Sequence, residues 1–198
     1  VSERVVWRSF YARDPLVVAP ELLNKILVTP TGAGRIVEVE AYDGTNDPGS
    51  HAFRGPTPRT RVMFGPPGHL YVYFSYGMHW CANVVCRTEG EAGAVLIRAL
   101  APLRGIDHMR SARPAARRDR ELCNGPAKLC QALGIDGHFD GIDIARARGA
   151  IRVVDDGEPP PLQPGCSTRI GLSNGSDLPW RWYLAGDPNV SRTKLLRS

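Results

Sequence analysis

The sequence predicts an α+β fold around a largely antiparallel sheet. Three observations predict it. Runs with β-type composition follow one another across short, turn-like separators, which suit antiparallel connections. The helical stretches do not alternate regularly with the strands, so the βαβ pattern of a nucleotide-binding fold is absent. And 198 residues, 42% of them hydrophobic and 23% charged, suit one soluble domain, residues 1–198, with a core that needs no disulfide or metal.

In chain order, Pro15–Asn24 is a short helix with Asp14 as its N-cap and Pro at the first position. Lys25–Thr29 is a strand, 31–34 (Thr-Gly-Ala-Gly) a turn, and Arg35–Tyr42 the second arm of a hairpin. Asp43–Gly68 is a long loop rich in Gly, Pro and polar residues, and such loops are usually functional or disordered. Three β-type runs follow, His69–Tyr76, His79–Arg87 and Ala92–Ala99, separated at Gly77-Met78 and Thr88–Glu91. Arg104–Arg113 and Pro126–Leu133 are helices, the second with Asn124 as cap and Gly134 as stop. Arg117–Glu121 gives no decisive signal. Ile151–Val154, Cys166–Leu172 and Arg181–Leu184 are strand candidates, with a four-proline loop at Glu158–Pro164.

The net charge is +5, and residues 98–120 hold seven arginines against two aspartates, an excess equal to that of the whole chain. A localised basic zone suits a polyanion partner or, equally, a solvated helical face. No apolar run is long enough to span a bilayer, so no membrane partner is expected. No secretory signal is seen at VSERVVWRSF. Five cysteines, an odd number without a secretory signal, point to a reducing compartment, cytosolic or nuclear, and none forms a C-x-x-C pair. Cys123, Cys130 and His138 could surround zinc, although cysteine as a small buried hydrophobe is the better reading. P-loop, H-E-x-x-H and G-x-S-x-G motifs are all absent.

Three segments could carry chemistry. In Ile36–Tyr42, alternation puts Val37, Val39 and Ala41 on a core face and Glu38, Glu40 and Tyr42 on the other. Two carboxylates about 7 Å apart beside an aromatic can hold and deprotonate a water, or simply be the solvent face of an outer strand. In 71–80, six of ten residues are aromatic or histidine, and Gly77 permits a tight turn with Tyr76 near its tip. Stacked aromatics are platforms for nucleobases, and a protruding side chain can wedge into a duplex. The competing reading is core packing, favoured for Tyr71 and Phe74. In the long loop, His51 and the basic run Pro56–Arg61, with Arg59 and Arg61, suit phosphate contact or an inert surface. Together these are the parts of an enzyme that takes a base out of a helix.

Read jointly, GRIVEVEAYDG (34–44), His51, TPRTR (57–61), MFGPPGHLYVYFSYGMHWCANV (63–84), VLIRALAPLRG (95–105) and DRELCNGPAKLCQALGI (119–135) resemble the vertebrate-type alkyladenine (3-methyladenine) DNA glycosylase family. RIGLSNG and WRWYLAG match more weakly. The resemblance implies a compact domain with a curved antiparallel sheet, flanking helices and a protruding β-hairpin. It implies a monomer that acts on double-stranded DNA containing damaged purines of the 3-methyladenine, 7-methylguanine, hypoxanthine and ethenoadenine class, without cofactor or metal. Glu40 corresponds to the general base, and Arg98 to a residue that helps hold the attacking water, with a carbonyl near Leu172 as a third holder. Tyr76, beside Met78, corresponds to the DNA-inserting residue. Tyr42 and Tyr73 correspond to walls that stack on the extruded base, with His51 on the opposite face. The His51 main-chain N–H corresponds to a donor that reads the base edge, and Asn83 to a residue that crowds the 2-amino group of normal guanine. The chain departs from the family pattern in TNDPGS (45–50), in a shorter stretch from His51 to Phe64, and at His79, and these departures bear on substrate breadth.

Lysine is scarce, limited to Lys25, Lys128 and Lys194, and none lies in these motifs, so a monofunctional enzyme without Schiff-base chemistry is expected. A non-catalytic lesion binder would use the same wedge and arginines but release no base. A metal-dependent nuclease would use Glu38, Glu40 and His51.

Overall fold

A computed structural model describes residues 3–191. Its elements, in order, are β1 (Arg4–Val5), α1 (Arg8–Tyr11), α2 (Pro15–Leu22), β2 (Ile26–Val28), β3 (Ala33–Tyr42), β4 (Leu70–Ser75), β5 (His79–Val85), β6 (Ala94–Arg104), α3 (Ile106–Ala112), α4 (Pro126–Leu133), β7 (Arg152–Asp155), β8 (Gly165–Ser167) and β9 (Arg181–Tyr183). Among the described residues the nine strands form one antiparallel sheet in the order β1-β7-β2-β3-β6-β5-β4, with β9 beside β3 and β8 outside β9. The architecture is α+β, as the sequence predicts.

β3 organises the sheet. Residues 33–35 pair with β2 and residues 38–40 pair with β9, while β6 runs along the opposite edge. The pairing of β3 with β6 shifts register on both sides of Glu38. Partners run Ile36–Leu100, Glu38–Ala99 and Val39–Ile97, which leaves Val37 unopposed on β3 and Arg98 unopposed on β6. Such bulges bend a strand and re-aim side chains. Strict alternation is broken here. Ile36, rather than Val37, joins Val39 and Ala41 in the main core. That core is completed by Val18, Ala19 and Leu22 of α2 and by Leu129, Cys130 and Leu133 of α4.

Local signals explain the helices. Asp14 accepts the Leu16 N–H at 2.8 Å, and Pro15 opens α2. α2 stops at Leu22, short of the expected Asn24, which adopts a left-handed φ of 70°. α4 ends on left-handed Gly134 as expected. Its N-cap is Gly125 rather than Asn124, whose side chain accepts instead from Lys128 Nζ at 2.7 Å. α3 starts at Ile106 because β6 continues past Ala99 to Arg104, staying paired with β3. The candidate strand 166–172 is ordered as a strand only through Ser167. The long loop contains 3₁₀ turns at Gly44–Asn46 and Arg61–Phe64, and another spans Asp119–Glu121. β1 and α1 carry too few residues to show a period.

The basic zone is not one surface. Arg98 is buried, Arg104 pairs with Glu3, and Arg110 pairs with Asp107 and Asp119. Cys123 and Cys130 are core residues, whereas the exposed His138 side chain bonds Asp136. Among the described residues no three His, Cys, Asp or Glu side chains gather as a metal set.

Two glycines separate backbone conformation from crowding. Gly44 has φ 56°, and a Cβ there would lie 2.1 Å from the Ala92 carbonyl oxygen. Gly77 has φ 65° with open space around it. Gly77→Ala is expected to cost about 1–2 kcal/mol, the left-handed penalty alone. Gly44→Ala should cost roughly 2–5 kcal/mol, since overpacking adds to it. Urea unfolding of both variants checks this, and equal losses would contradict it.

Candidate active site

β3, β6 and β9 bring four charges together. Glu38 and Glu40 project from β3 and are both fully buried; Arg98 from β6 and Arg181 from β9 are 7% and 5% exposed. Cross-strand register places Glu40 opposite Arg181. The Arg98 bulge aims its guanidinium back at β3, donating from Nε to Glu38 at 2.9 Å and lying 3.1 Å from Glu40 through Nη1. Arg181 Nε donates to Glu38 at 2.7 Å, and Ser191 donates to the same carboxylate from its N–H at 2.6 Å and its hydroxyl at 2.7 Å. Burial pushes the Glu38 carboxyl up, but Arg98, Arg181 and Ser191 outweigh it and hold the group below its ordinary 4.5. Burial opposes the charge on Arg98 as well, and the two carboxylates more than restore it. The solvent-face reading of Glu38 and Glu40 is therefore incorrect: the second face of β3 is covered by these arginines and the 168–172 loop.

Glu40 is held by different groups. Oε1 accepts the Ile170 N–H at 2.8 Å as well as facing Arg98, and Oε2 accepts the Tyr42 hydroxyl at 2.9 Å. Its neighbours Tyr42, Arg98, Ile170 and Leu172 line a cleft of about 590 Å³. The carboxylate thus lies directly beneath the cleft, fixed in one orientation. Leu172 is placed in the cleft wall, and it is the Ile170 amide from the same loop that touches Glu40.

At the back of the cleft a smaller cavity of about 50 Å³ is lined by Tyr42, Gly49, His51, Met63, Tyr71, Tyr73, Asn83 and Leu172. Tyr71 and Tyr73 alternate onto one face of β4 and stack with centroids 5.5 Å apart. His51 meets Tyr73 edge-on at 4.5 Å and Tyr71 through Nδ1 at 3.2 Å from its hydroxyl. That contact is too close to admit a base between His51 and Tyr73. The two form one wall together, and His51 does not stand opposite Tyr73. Tyr42, tethered to Glu40, lines the same cavity. Burial and the nearby Arg59 lower the His51 pKa from 6.5, keeping the ring neutral at pH 7. Burial raises the Tyr42 and Tyr73 hydroxyls, with Glu40 adding to the effect at Tyr42 and Cys81 at Tyr73, so both remain protonated donors. Asn83 is buried and donates to the Tyr71 carbonyl at 3.2 Å.

The β4–β5 hairpin forms the rim. Met78 N–H donates to the Ser75 carbonyl at 3.1 Å, closing a turn in which Tyr76 and Gly77 both have positive φ, 50° and 65°. A tyrosine held left-handed is strained. Tyr76 is also 83% exposed, with Met78 beside it and exposed too. Phe74, expected in the core, is 45% exposed and tilts against Trp80 instead. Arg59 lies 5.5 Å over the Tyr73 ring and lines the cleft; Arg61 is exposed on the neighbouring 3₁₀ turn.

Sequence reasoning missed Ile170, Arg181 and Ser191, which hold the two carboxylates. The weakly matching segments RIGLSNG and WRWYLAG carry two of them, and their functional signal was hidden by a strand-like composition. His51 lies in the aromatic wall, apart from the Glu38–Glu40 pair, so the nuclease set is not assembled.

A family model described as Methylpurine-DNA glycosylase (MPG) matches residues 9–188. The chain is 56% identical over 188 residues, 94% of its length and 91% of the relative's, to a protein of Burkholderia cenocepacia (strain HI2424) named "Putative 3-methyladenine DNA glycosylase". Proteins of that name from Streptomyces avermitilis and Carboxydothermus hydrogenoformans are each 50% identical over 190 residues. They cover 93% of this chain and 89% and 97% of the respective relatives.

The Glu38 network makes a pH-dependent prediction. Its folded pKa is lowered below 4.5, so its stabilisation is complete above that pH and is lost as pH falls through the lowered value. Glu38→Gln should therefore lower unfolding free energy by about 3 kcal/mol or more at pH 7, because it leaves buried arginine charge unmatched. The gap from wild type should close progressively below about pH 4.5. Urea titrations from neutral to acid pH measure it, and a gap independent of pH would contradict the assignment.

Proposed function

Since the chain belongs to the methylpurine-DNA glycosylase family, we propose that it extrudes a damaged purine from duplex DNA and hydrolyses its N-glycosidic bond with a Glu40-activated water. The substrates are purines of the 3-methyladenine, 7-methylguanine, hypoxanthine and ethenoadenine class, and the product is an abasic site. The observation that carries this reading is Glu40. It is a buried carboxylate fixed by Arg98, Tyr42 and Ile170 beneath an aromatic-lined cleft whose rim bears an exposed tyrosine.

The chemistry follows from that placement. Tyr76 occupies the gap left by the extruded nucleotide, offsetting part of a flipping cost of a few kcal/mol. The base stacks on Tyr42, with His51 and Tyr73 forming the facing wall and Asn83 excluding the 2-amino group of normal guanine. The His51 main-chain N–H reads the base edge. Arg59, Arg61 and Met78 meet the DNA around the hairpin. As the glycosidic bond lengthens, positive charge develops on the sugar, and the Glu40 carboxylate stabilises it while orienting the water. Water adds its oxygen to the anomeric carbon, Glu40 takes its proton, and the bonding electrons leave with the base. Arg98 positions both carboxylate and water, and the 170–172 loop completes the holder. Cationic alkylated purines stack favourably on tyrosine and are good leaving groups. Neutral hypoxanthine needs protonation as it departs.

Single-turnover release from a short duplex with one hypoxanthine, in excess EDTA, tests this. Wild type should release the base and leave an undamaged duplex intact. Glu40→Gln should be slower by about 10³-fold, within the usual range for a lost general base. Failure of wild type on both hypoxanthine and a methylated purine would leave a lesion-binding protein as the better reading. Tyr76→Ala should slow release about tenfold while leaving thermal stability close to wild type, because the ring is 83% exposed and alanine carries the same left-handed strain. Product duplexes should carry no strand break and trap no imine with borohydride.

A further inference from the structure

Behind Tyr42 lies a cation that the cleft does not touch. Arg169 is 4% exposed, and its guanidinium carbon sits 4.7 Å from the Tyr42 ring centroid and 5.1 Å from that of Trp180. Asp47 grips both terminal nitrogens, the Nη2 bond at 2.8 Å, and both side chains are wholly buried. The Ala41 and Gly175 carbonyls each accept a further bond at 3.0 Å. Among the described residues its Nε finds no acceptor. Tyr42 lines both the cavity and the cleft, whereas Arg169 lines neither. The tyrosine ring therefore separates the guanidinium from the space where a base would stack.

An aromatic ring presents negative potential on both faces, and a cation on either face draws on it. One already seated on the rear face weakens the attraction for a second on the front. A neutral purine, which stacks mainly through dispersion and dipolar terms, loses little. We propose that Arg169 is a specificity-determining positioning residue that shifts selection away from cationic alkylated purines and toward neutral damaged purines. This inference rests on the reading that Tyr42 stacks on the extruded base. Asp47 modulates the effect by partly neutralising the guanidinium from its far edge, and it holds the 43–49 loop through the Gly49 N–H at 2.8 Å.

The test is the ratio of single-turnover release rates for 7-methylguanine and hypoxanthine in one duplex context. A partly misfolded preparation lowers both rates together and leaves the ratio unmoved. Arg169→Met with Asp47→Asn removes the rear cation and its counter-charge, and the ratio should rise about three- to tenfold, the scale of one cation–π contact. Arg169→Lys keeps a charge behind the ring and should stay near the wild-type ratio. Asp47→Asn alone leaves the guanidinium less neutralised and should move the ratio the other way, which keeps the proposal testable if the double variant does not fold. Tyr42→Leu separates the two readings. A ratio that responds to Tyr42→Leu but to neither Arg169 nor Asp47 variants overturns the role of Arg169 alone. A ratio that responds to none of them removes Tyr42 as the platform, and the proposal with it.

Discussion

Two carboxylates buried side by side must be matched by cations, and much of this structure is arranged to match Glu38 and Glu40. Their partners, Arg98 and Arg181, arrive from strands on the two edges of β3. Formal charge within the foursome cancels. Burying each ion costs several kcal/mol in desolvation, so such a cluster adds little to stability even when well paired. Its effect is geometric. Both carboxylates are held by several donors from different segments, which removes rotational freedom from the group at the centre of the proposed chemistry.

The compensating register shifts at Val37 and Arg98 make that cluster possible. A regular ladder would place Arg98 in strict alternation along β6. The bulge turns it toward the acids while the strands beyond remain paired. The same sheet supplies the aromatic side of the site, through Tyr71 and Tyr73 on β4 and Tyr42 at the end of β3. Charge and aromatic walls thus share one rigid scaffold, and the strained turn at Tyr76 sits at its edge.

Most of the fold was legible because its strands are long and its turns carry glycine. The three central strands, the α2 cap at Asp14 and the α4 stop at Gly134 all follow from local chemistry. What was hidden depends on neighbours. Glu38 and Glu40 read as easily for a wet face as for a buried site, because alternation cannot show what covers a strand. Phe74 reads as core by composition, yet it lies where the hairpin leaves the body of the protein. Segment 166–172 has strand-like residues, but only Cys166 and Ser167 pair, and the rest is diverted to reach Glu40. Asp47 and Arg169 are 122 positions apart and form one ion pair, a relation no short motif contains. The resemblance singled out Glu40, Arg98 and Tyr42, which the fold brings into contact. It did not reveal that His51 and Tyr73 touch.

The reach of the Glu38 contacts has a consequence for biosynthesis. One carboxylate is bonded by residues 98, 181 and 191, the last of them 153 positions away. Such distant contacts form late, since chain closure must precede them. On a ribosome, β3 emerges long before β9, and its two acids must wait in water, hydrated and uncommitted. The geometry around Glu38 and Glu40 is therefore among the last things the nascent chain acquires. A half-synthesised polypeptide would hold the hairpin and its exposed tyrosine while Glu38 and Glu40 still lack Ile170, Arg181 and Ser191.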